Sequence, residues 1–167
     1  MTEEIAAAAG STLGVAWTCL RSALDLRLAG NQVFDAGKGD VARARTIYLD
    51  AETAIAKAER LMKLENLRSV DPCSNDRFLS VVPALRGPLH SNLSLVCLRL
   101  GDAQGACRHA NTSLASDPQC TKARYRRAMA SLALGDYSSA QTDLRGVLKA
   151  QPGNLEAHTA LKQCHRE

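Results

Sequence analysis

Five polar residues stand at spacings that suit the capture of an anion. Arg27 and Asn31 are four residues apart, as are Lys122 and Arg126, so each pair shares one face of a helix. Asn92 stands inside a third helical stretch. Asn is a poor helix-interior residue because its side chain competes for backbone hydrogen bonds, at about half a kcal/mol. Lys offers a point charge, Arg a planar fork of donors and Asn a neutral donor. Cations with amide donors suit a carboxylate, and two carboxylates close together need several such groups.

Other chemistries find less support. There is no glycine-rich phosphate loop, no H-E-x-x-H and no G-x-S-x-G. His90, His109, His158 and His165 are scattered and read as isolated residues on helix surfaces. Cys19, Cys73, Cys97, Cys107, Cys120 and Cys164 never fall in a C-x-x-C spacing and read as small core hydrophobes. No four-ligand metal spacing exists, and neither a metal nor a cofactor is expected. The run Lys122-Ala123-Arg124-Tyr125-Arg126-Arg127 is basic, but only Tyr125 interrupts it with an aromatic ring, and no wide basic face surrounds it. Nucleic-acid binding is therefore not expected. Asn92-Leu93-Ser94 and Asn111-Thr112-Ser113 match the glycosylation sequon but lie on predicted helices.

Helices must position these residues. The chain has 167 residues, a formal net charge of +4, 46% apolar and only 4% aromatic residues. Ala and Leu must fill its core, which favours helices over a β-sandwich or barrel. The apolar stretch Ile5 to Leu20 is too short and too interrupted to span a bilayer. Glu3 and Glu4 stand where an export signal needs basic residues, so a cytoplasmic protein is expected.

The pattern along the chain is helix, turn, helix. Residues 1–12 read as a flexible end. Trp17, Leu20, Leu24 and Leu28 mark the apolar stripe of a first helix, ending at the glycines of Ala36 to Asp40. Ile47, Ala51, Ile55, Ala58 and Met62 mark a long second helix. Ser69 to Pro83, with two prolines, reads as a loop. Helical periodicity returns near Leu85.

An internal repeat organises the rest. Placing residues 87–120 on 121–154 gives seven identities: Leu98/Leu132, Leu100/Leu134, Gly101/Gly135, Asp102/Asp136, Ala106/Ala140, Leu114/Leu148 and Pro118/Pro152. Chance would give about two or three at ordinary composition. The identities fall where a helical hairpin needs them. Gly ends a first helix with a left-handed cap, Ala lets two helices approach, and Pro ends the second helix.

A 34-residue helical hairpin with this pattern resembles the tetratricopeptide repeat, TPR. Ala44, Tyr48 and Ala51 keep the small-aromatic-small spacing of a TPR second helix in an earlier hairpin. The resemblance implies an all-α fold, an α-solenoid of three TPR hairpins at about 23–56, 87–120 and 121–154 with a capping helix at 155–164. Residues 13–167 would form one such domain. Three repeats suffice to bury a continuous core.

Within that family, the polar set resembles the carboxylate clamp of co-chaperone TPR domains. Its pattern is Lys-x-x-x-Asn on the first helix, Asn on the third and Lys-x-x-x-Arg on the fifth, the first helices of the hairpins lining a concave groove. Arg27-Leu28-Ala29-Gly30-Asn31 matches the first with Arg for Lys; Asn92 matches the second; Lys122-Ala123-Arg124-Tyr125-Arg126 matches the third. The resemblance implies that Asn31 and Asn92 hold the terminal Asp carboxylates of a bound tail, which Arg27, Lys122 and Arg126 neutralise. It also implies a partner, the C-terminal Glu-Glu-Val-Asp of the ninety- or seventy-kilodalton heat-shock chaperones. The long second helix with the loop to Pro83 departs from the plainest clamp domains and looks more like the TPR halves of FKBP-type immunophilins and of the aryl-hydrocarbon-receptor-interacting protein. The chain has no room for their isomerase-like domain, so catalysis is not expected. The alternative is a TPR scaffold for another acidic or internal peptide.

Overall fold

The computed structural model describes residues 11–35, 40–66 and 73–164. Among them are seven helices and no strand: α1 (Thr12–Asp35), α2 (Val41–Asn66), α3 (Cys73–Arg99), α4 (Ala103–Ser116), α5 (Thr121–Ala133), α6 (Tyr137–Ala150) and α7 (Leu155–Cys164). The all-α expectation holds, and α7 spans the expected capping helix. Of the end expected to be flexible at residues 1–12, residues 1–10 lie outside the described residues, as do the glycines of the first turn, and Thr12 already belongs to α1. Two compact units divide inside α3, between Leu89 and His90.

In the first unit α1 packs on α2. Helix α1 buries Leu20 of the expected stripe and half-buries Trp17 and Leu24. Its buried positions are Gly14, Ala16, Leu20, Ala23 and Gly30, while Leu28 is exposed. Gly30 meets Tyr48 of α2, whose buried row is Ala44, Tyr48, Ala51, Ile55, Ala58 and Met62. The Asp40 carboxylate starts α2 by accepting the Arg43 N–H at 2.8 Å.

Of the loop expected from Ser69 to Pro83, residues 69–72 lie outside the described residues, and the rest is corrected by the structure: helix α3 begins at Cys73 and runs through both Pro83 and Pro88. Each proline removes a backbone N–H and crowds the carbonyl four residues earlier. Both lie on the exposed side, where water can satisfy the freed carbonyls. The opposite side buries Phe78, Val82 and Leu89. Trp17 meets Phe78 edge to face, with ring centroids 5.8 Å apart. Arg86 adds a fork to Glu59 at 2.8 and 3.0 Å and a bond from Nε to Glu52 at 3.1 Å. These contacts outweigh the proline cost, which local sequence alone registers as a break.

In the second unit α4 packs on α5, α5 on α6 and α6 on α7. The main core joins Ala128, Ala140, Leu144, Val147, Ala157, Ala160 and Cys164, with Tyr125, Met129 and Leu161 against it. Ala106 and Ala140 are fully buried, as close helix approach requires. The repeated Gly-Asp turns are built alike. Gly101 and Gly135 both have φ +77°, and the N–H groups of Asp102 and Asp136 reach back to Cys97 O and Ser131 O at 2.9 Å. That is the six-to-one bond of a Schellman stop. The same aspartates cap the next helices, accepting from Gly105 N at 2.7 Å and Ser139 N at 3.0 Å. Asp136 is held below the usual carboxylate range by the Ser139 side-chain and backbone hydrogen bonds.

Candidate functional site

The sequence candidates are distributed over both units. In the first, Arg27 and Asn31 lie one turn apart on α1. The Tyr48 hydroxyl of α2 donates to Asn31 Oδ1 at 2.8 Å, which orients the carboxamide. Gly30 is the residue that permits this. A Cβ there would lie 2.4 Å from Tyr48 Cε1. The unfavourable Gly-Asn pair in a helix is thus the seat of a buried tyrosine. Arg27 Nε is buried with no hydrogen-bond partner among the described residues. A buried donor in that state is unusual and calls for an acceptor.

In the second unit, Lys122 and Arg126 lie one turn apart on α5. Lys122 is exposed. Arg126 Nη1 donates to both Ser91 O, at 2.5 Å, and Ser91 Oγ, at 2.6 Å. Ser91 is on α3, next to Asn92, so the α5 pair is tied to the strip of α3 that carries the Asn candidate. The four cations of the basic run do not act alike. Arg124 lies against Gly146 and donates to Pro118 O at 2.7 Å. Arg127 forks onto the buried Asp143 carboxylate, both bonds at 2.7 Å, and reaches Asn111 Oδ1 at 2.8 Å. The Asp143 hydrogen bond is the main cause that pushes the Arg127 guanidinium above its ordinary range. Two of the four cations therefore serve the fold, and Lys122 and Arg126 share the other face.

Two residues that shape these sets were not foreseen. Ser91 precedes Asn92 but carried no helical anomaly to mark it. Tyr48 was visible as the aromatic of a repeat pattern, not as the partner of Asn31. The reading of the histidines as isolated surface residues is corrected. His90 is buried, and its Nδ1 lies 2.9 Å from His109 Nδ1 of α4, one of the two carrying the shared proton. Helices bring together residues that are 19 positions apart in the chain. His158 is exposed and reaches Pro152 O at 2.9 Å; His165 lies outside the described residues. Cys97 and Cys164 are buried as expected, whereas Cys19, Cys107 and Cys120 are half-buried.

Residues 98–164 match the family model of the tetratricopeptide repeat. Over those residues the chain is tetratricopeptide-repeat sequence. The FK506-binding protein-like protein of Homo sapiens is 34% identical over 119 residues, which cover 65% of this chain and 34% of that protein. The chain thus spans about a third of the length of this relative. Among solved structures, the C-terminal TPR-containing domain of a Plasmodium falciparum FK506-binding protein has a TM-score of 0.73 at 20% identity, covering 90% of this chain and 91% of that one. The first TPR domain of Spaghetti (RPAP3), bound to the HSP90 peptide SRMEEVD, has a TM-score of 0.63 at 25% identity, covering 88% and 95%. The likeness in fold extends over most of the chain. Among the described residues, no helix is long and apolar enough to cross a membrane.

Proposed function

We propose that this TPR domain is a non-catalytic, co-chaperone-type module that binds the acidic C-terminal Glu-Glu-Val-Asp tail of ninety- or seventy-kilodalton heat-shock chaperones. Its carboxylate-binding residues are Arg27, Asn31, Asn92, Lys122 and Arg126. The observation that carries the reading is the α5 pair: Lys122 exposed, and Arg126 one turn on, held by Ser91 beside Asn92. The orphaned Arg27 Nε supports it, since a bound carboxylate would supply an acceptor for that donor. Tyr48 supports it too, because Asn31 with its oxygen toward the hydroxyl turns its NH₂ the other way. The cytoplasm is the compartment this reading implies.

Each hydrogen bond to a charged group contributes about 1.5–3 kcal/mol. Lys122→Ala or Arg126→Ala is therefore expected to weaken tail binding at least about tenfold. The direct test titrates the protein with a peptide ending in Met-Glu-Glu-Val-Asp, and with the same peptide amidated at its C-terminus. The free acid binds, and amidation or added salt weakens it. Equal binding of acid and amide, or unchanged affinity in both variants, removes the clamp and favours a TPR scaffold for internal peptides.

A further inference from the structure

We infer that Ser91 is a positioning residue for the proposed tail-binding set, one that fixes the direction of the Arg126 guanidinium. The inference rests on the reading above and names a residue that reading does not use.

Arg side chains are long and rich in rotamers, so an unrestrained guanidinium loses much freedom when it binds a ligand. Arg126 is restrained before any ligand arrives. One nitrogen, Nη1, serves both oxygens of Ser91. Nη1 carries two hydrogens, and two acceptors account for both. The carbonyl of a helical residue has a second lone pair beyond its helix bond, so it can take this extra donor. Ser91 is itself buried on α3, a rigid element, so its hydroxyl is a fixed acceptor. The plane of the guanidinium is thereby set.

This explains why Arg and not Lys suits position 126. An ammonium has three donors on one atom. Two spent on Ser91 would leave one, and no planar fork. Arg serves Ser91 from one nitrogen, and its planar guanidinium carries donors on two others. Position 122, whose side chain is exposed, has no such anchor, and Lys serves there.

The test uses the full chain and the free-acid peptide ending in Met-Glu-Glu-Val-Asp. Ser91→Ala removes one of the two acceptors and is expected to weaken binding about three- to tenfold. Ser91→Thr keeps the hydroxyl and is expected to restore binding. In an Arg126→Ala background, Ser91→Ala is expected to have no further effect, because there is no guanidinium left to direct. Rotation about the Arg126 Cζ–Nε bond, read by NMR of ¹⁵N-labelled arginine, is slow in the wild type and faster in Ser91→Ala, without peptide; a merely structural role for Ser91 would leave it unchanged. If Arg126→Ala weakens binding while Ser91→Ala leaves both affinity and rotation unchanged, the positioning role is overturned and the clamp stands. If wild-type protein does not bind the peptide at all, the clamp itself fails, and slow Arg126 rotation would still show Ser91 fixing the guanidinium. If Ser91→Ala does not fold, the rotation in Ser91→Thr decides, fast rotation there counting against the role.

Discussion

Gly30→Ala is a substitution whose sign is decided by the structure. A glycine in a helix interior is less favourable than alanine by about 0.8–1.0 kcal/mol, so propensity alone predicts stabilisation. Against that stands Tyr48. The new Cβ would lie 2.4 Å from its Cε1 and 2.7 Å from its Cδ1, where carbon atoms at contact sit about 3.5–4.0 Å apart. The ring cannot swing away cheaply. It is only 1% exposed, and its hydroxyl is tied to Asn31 at 2.8 Å. Overpacking of this kind costs about 1–3 kcal/mol, and displacing the ring also gives up a hydrogen bond of about 1 kcal/mol. The balance is a loss of about 1–3 kcal/mol. Urea unfolding would measure it, with amide exchange on α1 and α2 to locate it, since repeat arrays can open in parts. A second variant isolates the cause. In a Tyr48→Val background the δ and ε carbons are gone, and the same Gly30→Ala is expected to stabilise by about its propensity gain. Stabilisation by Gly30→Ala in the wild-type background would refute the packing argument.

Arg127→Ala is expected to cost about 2–3 kcal/mol, below the full value for a buried pair because the Arg127 side chain is 32% exposed, and Arg127→Leu with Asp143→Leu to recover part of that; additive losses in a urea double-mutant cycle would contradict it. Tyr125 is pushed above its ordinary value first by burial, then by the charge and hydrogen bond of Glu156. The unfolded chain therefore loses this proton first as pH rises past about 10, so stability falls there, and Tyr125→Phe is expected to flatten the fall. Ultraviolet titration should show Glu156→Gln lowering the Tyr125 midpoint only in part, because burial persists; complete reversion would make the charge, not burial, the main cause.

What was legible in the sequence was what repeats or alternates. Gly101 and Gly135, with the aspartates after them, disclosed their turns because the same backbone geometry needs the same residues twice. The row on α2 was legible because one helix face met one neighbour along its length. The stripe on α1 was legible only in part: Leu20 is buried, but the other buried positions are Ala16, Ala23, Gly14 and Gly30, and Gly30 seats Tyr48 of α2. The prolines of α3 misled. Their local cost is plain in the sequence, but the contacts that offset it come from Trp17, Glu52 and Glu59, far away in the chain. His90 and His109 met for the same reason, through helix packing that no local pattern records.

The candidate site shows how a structural role and a binding role can be separated residue by residue. Asn31 supports Tyr48, and Arg126 is held by Ser91, so altering either disturbs a contact as well as a ligand. Loss of binding in those variants is therefore open to two explanations. Lys122 is different. It is exposed on α5 and takes part in no hydrogen bond or ion pair among the described residues, so removing its charge has little reason to disturb the fold. A Lys122→Ala protein with unchanged unfolding and weakened affinity for the free-acid peptide would locate the loss in the ligand alone. Unchanged unfolding with unchanged affinity would mean that Lys122 does not meet the tail, whatever the other four residues do.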